Sequence, residues 1–444
     1  MTTSPLDETH DPAATSWVES ANAPDTDFPL ANLPFGVFRH DFEERPRVGI
    51  AIGDHVLDCL AAVHEGMFND VDPSVRAALQ SWSLNALMAL GRDDARAVRR
   101  VAHRLLRADT AEGRRAQANA SDLLVSMESI GLRVPAEVGD YTDFYASVHH
   151  ATNVGSMFRP DNPLLPNYKW MPVGYHGRAS SIVATGTPVR RPHGQVVSSP
   201  EGPPTRSPSA RLDYELEIGA FVARGNRQGD SISLARAEEH LFGLCLVNDW
   251  SARDLQQWEY QPLGPFLSKS FATTVSPWVV TLDALAPFRA PAFARPAGDP
   301  APLPYLADPD NESAGGFAIR LEVWLRSAAM RAAGQGAARL SGGDFTGMYW
   351  TLAQMLTHHA TAGCNLQPGD LLASGTVSGA DPESRGCLLE LAWRGQRPVT
   401  LSNGESRAFL QDGDEITLRG WCERDGFRRI GFGSCTGEVQ PALA

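Results

Sequence analysis

The sequence lacks several features that mark large classes of protein. Its six cysteines form no Cys-x-x-Cys pair, and no group of cysteines and histidines has the spacing of a zinc site. No apolar run approaches the roughly 20 residues that a membrane-spanning helix requires. Neither a Walker nor a Rossmann glycine loop is present. These absences favour a cytoplasmic protein with reduced thiols and without a membrane span.

Positive charge is also scarce. Lysine and arginine together number 39 against 52 aspartates and glutamates, and the formal net charge is -13. This balance argues against nucleic acid as a partner, because nucleic-acid-binding surfaces are basic. An anionic substrate would need a local cationic pocket. The two lysines are Lys169 and Lys269. A rare lysine can indicate a position that needs a compact ammonium, although retention by chance is the preferred interpretation for Lys169.

The residues that are present favour a β-rich fold. The 444 residues include 40 glycines and 32 prolines, with 43% hydrophobic and 20% charged residues, a profile typical of a loop-rich enzyme with two domains. Residues 1–15 are small, polar and acidic and are predicted to be a disordered extension. Residues 16–135 combine short apolar runs, typical of a small barrel, with a helical periodicity from Asp93 to Arg107. Residues 136–444 are dominated by strand patterns. The predicted fold class is mainly β (α+β).

The run from Leu212 to Ile218 alternates apolar and acidic residues, as a strand does. Glu215 and Glu217 would then point the same way, roughly 6.6 Å apart. Carboxylates held that close repel each other unless a cation, a base or water lies between them. The alternative is the solvated outer face of an edge strand, and this run alone does not choose between the two.

Two further carboxylates occupy positions suited to a metal ligand. Asp143 precedes a predicted helix, and Asp249 ends the apolar run that starts at Leu241, a predicted buried strand. A site made of carboxylates alone favours Mg²⁺, Ca²⁺ or Mn²⁺. Taken singly, Asp143 is as well explained as a helix N-cap and Asp249 as the start of a turn.

His150 is the candidate general base. If the residues from Asp143 onward are helical, seven steps of about 100° bring His150 to the same face as Asp143, whereas His149 faces elsewhere. A histidine beside an acid-bound metal suits proton transfer near neutral pH; an ordinary surface histidine is the alternative. Glu390 lies in the apolar run from Cys387 to Trp393, a predicted strand. Its carboxylate needs a partner there, and pairing with His150 would orient the imidazole.

A group of hydrogen-bond donors follows Asp249. In a predicted helix, Arg253 and Gln256 are i,i+3 neighbours and Tyr260 continues the same face. With Lys269 close in sequence, these side chains could receive a developing oxyanion. Surface charge is the alternative for Arg253, but the adjoining aromatic residues favour a buried segment.

Several of these stretches together resemble the fumarylacetoacetate hydrolase family, over nearly the whole chain from about residue 16. The similar motifs contain the proposed acids, the histidine and the donor cluster: Gly139–Tyr145, His150–Gly155, Leu165–Asn167, Pro172–Ser181, Asn248–Asp254, Pro262–Phe266 and Ser374–Gly379. So many ordered matches make the resemblance highly specific.

The resemblance implies an SH3-like barrel in the N-terminal domain, a β-rich catalytic roll after it, and a homodimer. It implies that Mg²⁺ or Ca²⁺ is bound by Asp143, Glu215, Glu217 and Asp249, with Lys269 and Thr273 beside the metal; because Lys269 carries an ammonium, we interpret it as a neighbour of the ion. The base is His150, supported by Glu390. The oxyanion donors are Arg253, Gln256 and Lys269. The substrate contacts are Tyr145, Arg159, Tyr175, Gln256, Tyr260 and Thr376.

The reaction that the resemblance implies is metal-dependent hydrolysis of the carbon–carbon bond of 4-fumarylacetoacetate to fumarate and acetoacetate, the last step of tyrosine and phenylalanine catabolism. The partner is then a small diketo acid. A related acylpyruvate hydrolase, or a 2-oxo acid decarboxylase or isomerase of the same superfamily, is the nearest alternative. A noncatalytic metal-bound β protein is a further one, but it has no need of a paired His150 and Glu390.

Overall fold

The structure is a computed structural model that describes residues 5–40, 45–197, 199 and 202–444. The N-terminal region joins a small antiparallel sheet to six helices. Its strands are β1 Phe35–His40, β2 Arg47–Ile52, β3 His55–Asp58, β4 Leu124–Ser126 and β5 Ile130–Leu132. Its helices are α1 Cys59–His64, α2 Pro73–Leu79, α3 Asn85–Leu90, α4 Arg92–Leu106, α5 Ala111–Ala118 and α6 Ala120–Leu123. The predicted helix from Asp93 to Arg107 is thus confirmed as α4, which buries the apolar face that its periodicity indicated.

The predicted disordered extension is wrong for residues 5–15. Asp7 caps a short 3₁₀ helix, Glu8–His10, and accepts a hydrogen bond from Arg100 Nε at 2.9 Å. His10 is buried, with Nε2 2.8 Å from the carbonyl oxygen of Asp283. Polar composition indicated disorder, but here the polar groups pair with one another and with distant residues. Residues 1–4 lie outside the described residues.

The larger region contains the remaining elements. Its helices are α7 Val148–Phe158, α8 Arg253–Glu259, α9 Pro309–Ala314, α10 Ala328–Ala332, α11 Leu352–Ala360 and α12 Leu388–Leu391. Its longer strands are β6 Tyr141–Phe144, β7 Gly174–Gly177, β8 Ile182–Ala184, β10 His193–Val196, β11 Thr205–Pro208, β13 Leu216–Val222, β14 Leu241–Asp249, β16 Thr273–Val275, β17 Trp278–Thr281, β20 Arg320–Arg326, β21 Ala338–Asp344, β22 Leu371–Ala373, β25 Glu415–Cys422 and β26 Ile430–Gln440. The strands of two residues are β9 Val189–Arg190, β12 Leu212–Asp213, β15 Ser251–Ala252, β18 Arg289–Ala290, β19 Gly316–Phe317, β23 Val399–Thr400 and β24 Ser406–Arg407.

One sheet runs through both regions. Its order across the molecule is β4-β3-β2-β1-β17-β14-β13-β22-β6-β7. Strand β1 pairs with β17, with Phe35 opposite Val279, and the rings of Phe35 and Phe242 lie 5.8 Å apart. The N-terminal region therefore packs directly behind β13 and β14, two of the strands that carry candidate acids.

A second, five-stranded sheet has the order β21-β20-β25-β26-β9 and packs against the first. Strand β20 buries Leu321, Val323 and Leu325 on one face, as its alternation predicted. The predicted fold class, mainly β with an N-terminal domain ahead of a β-rich catalytic region, is confirmed. Across the residues that the structure describes, no helix combines the length and the apolar content needed to cross a bilayer.

Candidate active site

Four carboxylates meet where three strands of the large sheet end or begin. Asp143 lies in β6, Asp249 ends β14, and Glu217 is the second residue of β13, with Glu215 just before that strand. One oxygen of each of the four carboxylates lies within 4.8 Å of the others, and all four residues are buried. The structure thus brings together the four acids that the sequence singled out. The alternative of a solvated outer face does not hold for Glu215 and Glu217, because both faces of this run are buried.

The local structure predicted for Asp143 was wrong. Asp143 is in a strand and not in front of a helix, and α7 begins only at Val148, capped by Ser147. The helical step from Asp143 to His150 therefore does not exist. Asp143 is held instead by parallel pairing of β6 with β22, where it lies opposite Ala373. Asp249 ends a buried strand, as predicted.

The charge on the cluster is only partly balanced by side chains. Lys269 Nζ donates to Glu215 and, at 2.6 Å, to Asp249 Oδ2. Arg253 Nη1 donates to Glu215 Oε1 at 2.7 Å. Thr273 donates its hydroxyl to Asp249 Oδ1 at 2.9 Å. The burial of Glu215 would raise the pKa of its carboxyl, but the charges of Lys269 and Arg253 hold that pKa below its ordinary value. Half of the cluster is therefore neutralised.

Asp143 and Glu217 form the half that is not neutralised. Asp143 Oδ1 and both carboxylate oxygens of Glu217 are buried without a hydrogen-bond donor among the described residues. Burial and the neighbouring carboxylates raise the pKa of both groups well above the ordinary value. Buried carboxylate oxygens that lack donors, next to two more carboxylates, fit a hard divalent cation bound by oxygen. The donor set is suited to Mg²⁺ or Ca²⁺ and not to a metal that prefers sulfur or nitrogen.

His150 and Glu390 form a buried pair beside this cluster. His150 lies in α7 and donates from Nδ1 to Glu390 Oε2 at 2.5 Å. This contact leaves Nε2 as the nitrogen that can accept a proton. Burial opposes ionisation of Glu390, but the charge and hydrogen bond of His150, with hydrogen bonds from Asn153 and Ser378, lower its pKa to about 2. Glu390 is therefore an anion throughout the range in which a histidine titrates.

The position of Glu390 corrects a second prediction. The run from Cys387 to Trp393 contains the short helix α12 and no strand. An apolar run of this length does not distinguish a short buried helix from a buried strand. The pairing itself survives the error, because α12 packs against α7, and Met157 and Leu389 share a small apolar cluster.

Arg253 begins α8, and Gln256 lies one turn further along, as the spacing predicted. Arg253 Nη1 donates to Gln256 Oε1 at 3.1 Å. Arg253 Nη2 is buried and has no acceptor among the described residues. The guanidinium therefore has a hydrogen bond to offer next to Glu215. With Lys269, it makes the region between the cluster and α8 rich in donors.

The six predicted substrate contacts divide into two groups. Tyr145 packs edge-on against the His150 ring with centroids 5.2 Å apart, and Tyr175 donates its hydroxyl to Asp249 Oδ2 at 2.8 Å. These two residues and Gln256 are tied to the site. For Arg159, Tyr260 and Thr376, the described part of the chain shows no hydrogen bond to the acids or to His150 and Glu390. Their contact with substrate remains a prediction.

Three residues that support the site were not predicted from the sequence. Asn153 Nδ2 donates to Glu390 Oε1 at 2.8 Å and Ser378 Oγ donates to Glu390 Oε2 at 2.7 Å. Asn153 follows His150 by three positions in α7, a spacing that could have indicated it. The carboxylate of Glu259 accepts hydrogen bonds from three successive backbone N–H groups, Phe266, Leu267 and Ser268, at 2.7–3.1 Å. Glu259 thereby fixes the backbone turn directly before Lys269 and so positions the Lys269 side chain.

A pH-dependent stabilisation by metal follows from the raised pKa values of Asp143 and Glu217. At low pH both carboxyls are protonated in the folded and in the unfolded chain. As the pH rises, ionisation of the buried pair destabilises the metal-free folded state, and a bound cation offsets this loss of stability. We expect the difference in Tm between Mg²⁺-loaded and EDTA-treated protein to widen from about pH 5 to about pH 8. Differential scanning calorimetry measures this difference in Tm at each pH. A difference that stays constant with pH would contradict the assignment of Asp143 and Glu217 as metal ligands.

Glu217→Gln is the matching variant for this prediction. It should abolish most of the pH-dependent increase in the Tm difference. It should also weaken Mg²⁺ binding by at least about tenfold in calorimetric titration. Asp370→Asn is the control, because Asp370 is also buried and accepts hydrogen bonds from the backbone of Asp140 and Gln367. It should leave Mg²⁺ affinity unchanged.

Comparison with known proteins identifies the family of the chain. The profile described as Fumarylacetoacetate (FAA) hydrolase C-terminal matches residues 140–440, and that described as Fumarylacetoacetase N-terminal matches residues 31–135. The chain is 49% identical to the fumarylacetoacetase of Rattus norvegicus over 423 residues, covering 95% of this chain and 98% of the relative. The corresponding protein of Homo sapiens is 49% identical over 422 residues, with the same two coverages.

A plant relative extends the same similarity. The fumarylacetoacetase of Oryza sativa subsp. japonica is 46% identical over 432 residues, covering 96% of this chain and 97% of the relative. Matches of this identity and length include both regions of the fold and all the elements that build the site. The chain therefore belongs to the fumarylacetoacetate hydrolase family and is a hydrolase that acts on carbon–carbon bonds.

Proposed function

We propose that this chain hydrolyses 4-fumarylacetoacetate to fumarate and acetoacetate, the last step of tyrosine and phenylalanine catabolism, with a divalent cation and a water activated by His150. The observation that carries the proposal is a buried pair of His150 and Glu390 beside four buried carboxylates, two of which lack donors among the described residues. A noncatalytic protein that only binds a metal has no use for such a pair.

The histidine and the glutamate supply acid–base chemistry. His150 Nε2 takes a proton from water, and the hydroxide adds to the carbonyl carbon of the fumaryl group. Glu390, with a pKa of about 2, stays ionised and stabilises the imidazolium that results. When the carbon–carbon bond breaks, its electron pair leaves with the acetoacetate carbon, which then takes a proton from the imidazolium. One water is consumed, and no oxidant or reductant is needed.

Donors on the other side of the site stabilise the oxygen that becomes negative. Arg253 Nη2 has no acceptor among the described residues, and Gln256 and Lys269 lie next to Arg253. Such donors stabilise a transition state most when they are fixed before the reaction in a site from which water is excluded. The hydrogen bonds of Arg253 and Lys269 to Glu215 fix both cations in place.

The remaining contacts hold the substrate. Arg159 at the end of α7 donates to the carbonyl of Pro163 at 3.3 Å, and within the described residues it has no carboxylate partner. It is thus able to bind a substrate carboxylate despite the net charge of -13. Tyr145, Tyr175, Tyr260, Gln256 and Thr376 complete the proposed substrate-binding set.

Asp143, Glu215, Glu217 and Asp249 would hold the ion, with Lys269 and Thr273 beside it and bound to Asp249. When bound, Mg²⁺ or Ca²⁺ would supply positive charge that favours the enolate form of a 1,3-diketone. The oxygen-only ligand set accepts either ion.

Product analysis tests the proposed reaction. Purified protein with Mg²⁺ should convert fumarylacetoacetate to equal amounts of fumarate and acetoacetate, and EDTA should abolish the conversion. Acylpyruvates and 2-oxo acids in the same assay represent the alternatives of the same superfamily. Faster turnover of an acylpyruvate, or decarboxylation or isomerisation without hydrolysis, would overturn the proposed substrate.

The role of His150 is tested by substitution of two adjacent histidines. His150→Ala removes the base and should lower kcat by about 10²–10⁴-fold, with the fold and Mg²⁺ binding retained. His149→Ala is the matched control, because the His149 ring faces Phe293 at 6.4 Å and not Glu390. It should keep kcat near that of the unmodified enzyme. Near-normal turnover by His150→Ala would show that another group is the base.

We also propose a homodimer in the cytoplasm. The segment 258–267 exposes four large apolar side chains: Trp258, Leu263, Phe266 and Leu267. Several large apolar side chains exposed on one segment are typical of a protein interface. The six cysteines are free thiols, which suits the reducing cytoplasm.

Light scattering coupled to size exclusion should give twice the chain mass of 48.0 kDa. Leu263→Asp should shift the protein towards the monomer, because Leu263 is 96% exposed in the single chain. Leu443→Asp, at an exposed leucine near the C-terminus, is the control and should leave the mass unchanged. A monomeric mass for the unmodified protein would contradict the dimer.

A further inference from the structure

The third carboxylate of the run from Leu212 to Ile218, Asp213, is buried but is not part of the four-acid cluster. It lies in β12, which pairs with β15 so that Asp213 faces Ser251, two residues before Arg253. Its side chain is completely buried. Asp213 Oδ2 accepts a hydrogen bond from Arg253 Nε at 2.9 Å.

The same carboxylate also contacts α12, the helix that contains Glu390. Its two oxygens accept the backbone N–H groups of Leu388 at 2.8 Å and of Leu389 at 2.9 Å. These are the first N–H groups of α12, which have no acceptor within their own helix. Glu390 is the next residue, and it holds His150. A contact across 175 residues of sequence thus sets where the Glu390 helix begins.

We propose that Asp213 is a positioning residue that holds the oxyanion donor Arg253 and the glutamate partner of His150 in a fixed relation to each other. The proposal rests on the roles given above to Arg253 and Glu390. Asp213 contacts neither substrate nor ion; it acts through the two groups that it binds. A single rigid carboxylate is well suited to this task, because it accepts all its hydrogen bonds at fixed angles without a proton of its own.

Asp213→Asn is the informative variant because no orientation of the amide preserves the contacts. Oδ2 faces Arg253 Nε and the N–H of Leu389; Oδ1 faces the N–H groups of Leu388 and Tyr214. In either orientation, the amide NH₂ takes the place of an oxygen that accepts two hydrogen bonds, so that it faces two donors. We expect kcat to fall by about 10–100-fold, the range found when supporting residues of a site are changed, while KM changes less than about threefold.

Asp414→Asn is a matched control. Asp414 is also buried, and it accepts hydrogen bonds from the Nε of an arginine, Arg407, and from the backbone N–H of Gln411, each at 2.8 Å. Its substitution removes the same kinds of contact without touching Arg253 or α12. It should lower Tm comparably and leave kcat unchanged.

A double-mutant cycle separates positioning from simple loss of stability. Because Asp213 acts partly through Glu390, Asp213→Asn should lower kcat by a smaller factor in the Glu390→Gln background than in the unmodified enzyme. Full additivity of the two losses would contradict the proposal. So would a folded Asp213→Asn with the kcat of the unmodified enzyme.

A second variant covers the case in which Asp213→Asn does not fold. Asp213→Glu keeps the charge but moves the carboxylate, and it should also lower kcat with KM little changed. If neither variant folds while Asp414→Asn does, Asp213 is a stability residue and the proposal is overturned. Absence of fumarate release by the unmodified enzyme would instead contradict the proposed function, so the two failures are distinguishable.

Discussion

Electrostatic repulsion among four buried carboxylates is the constraint on which the rest of the site depends. One oxygen of each lies within 4.8 Å of the others, in an interior where like charges interact strongly. The chain can keep these charges together only by supplying counter-charge. Lys269 and Arg253 supply it on the side of Glu215, whereas Asp143 and Glu217 have no donor in the described structure. A divalent cation would balance the remaining negative charge.

The fold meets this constraint by using rigid elements. Asp143, Glu217 and Asp249 come from three strands of one sheet, so backbone pairing fixes their separation. The N-terminal region contributes no acid to the cluster, but it extends the same sheet and packs behind β13 and β14. Because strands hold side chains more firmly than loops do, the repulsion cannot be relieved by moving the acids apart. The close grouping of the four acids is therefore a fixed property of the folded chain.

Sequence patterns predicted those parts of the site that local structure controls. Asp249 at the end of a buried strand, and the i,i+3 pair of Arg253 and Gln256 in α8, follow from periodicity alone. The resemblance to a family supplied the grouping of the acids with His150. The patterns gave the wrong local structure for Asp143 and for Glu390, because short buried segments carry no distinct periodicity. Asn153 and Asp213 were missed for a different reason: their contacts with α12 join residues 237 and 175 positions apart.

The most direct test of this account is a crystal structure of the protein soaked with Mn²⁺, an ion that carboxylate sites accept and whose anomalous scattering identifies it. The account predicts one strong anomalous peak at about 2.0–2.6 Å from oxygens of Asp143, Glu217 and Asp249, with His150 Nε2 facing the same cavity. A cluster that binds no ion at millimolar Mn²⁺, or a peak elsewhere in the molecule, would contradict it.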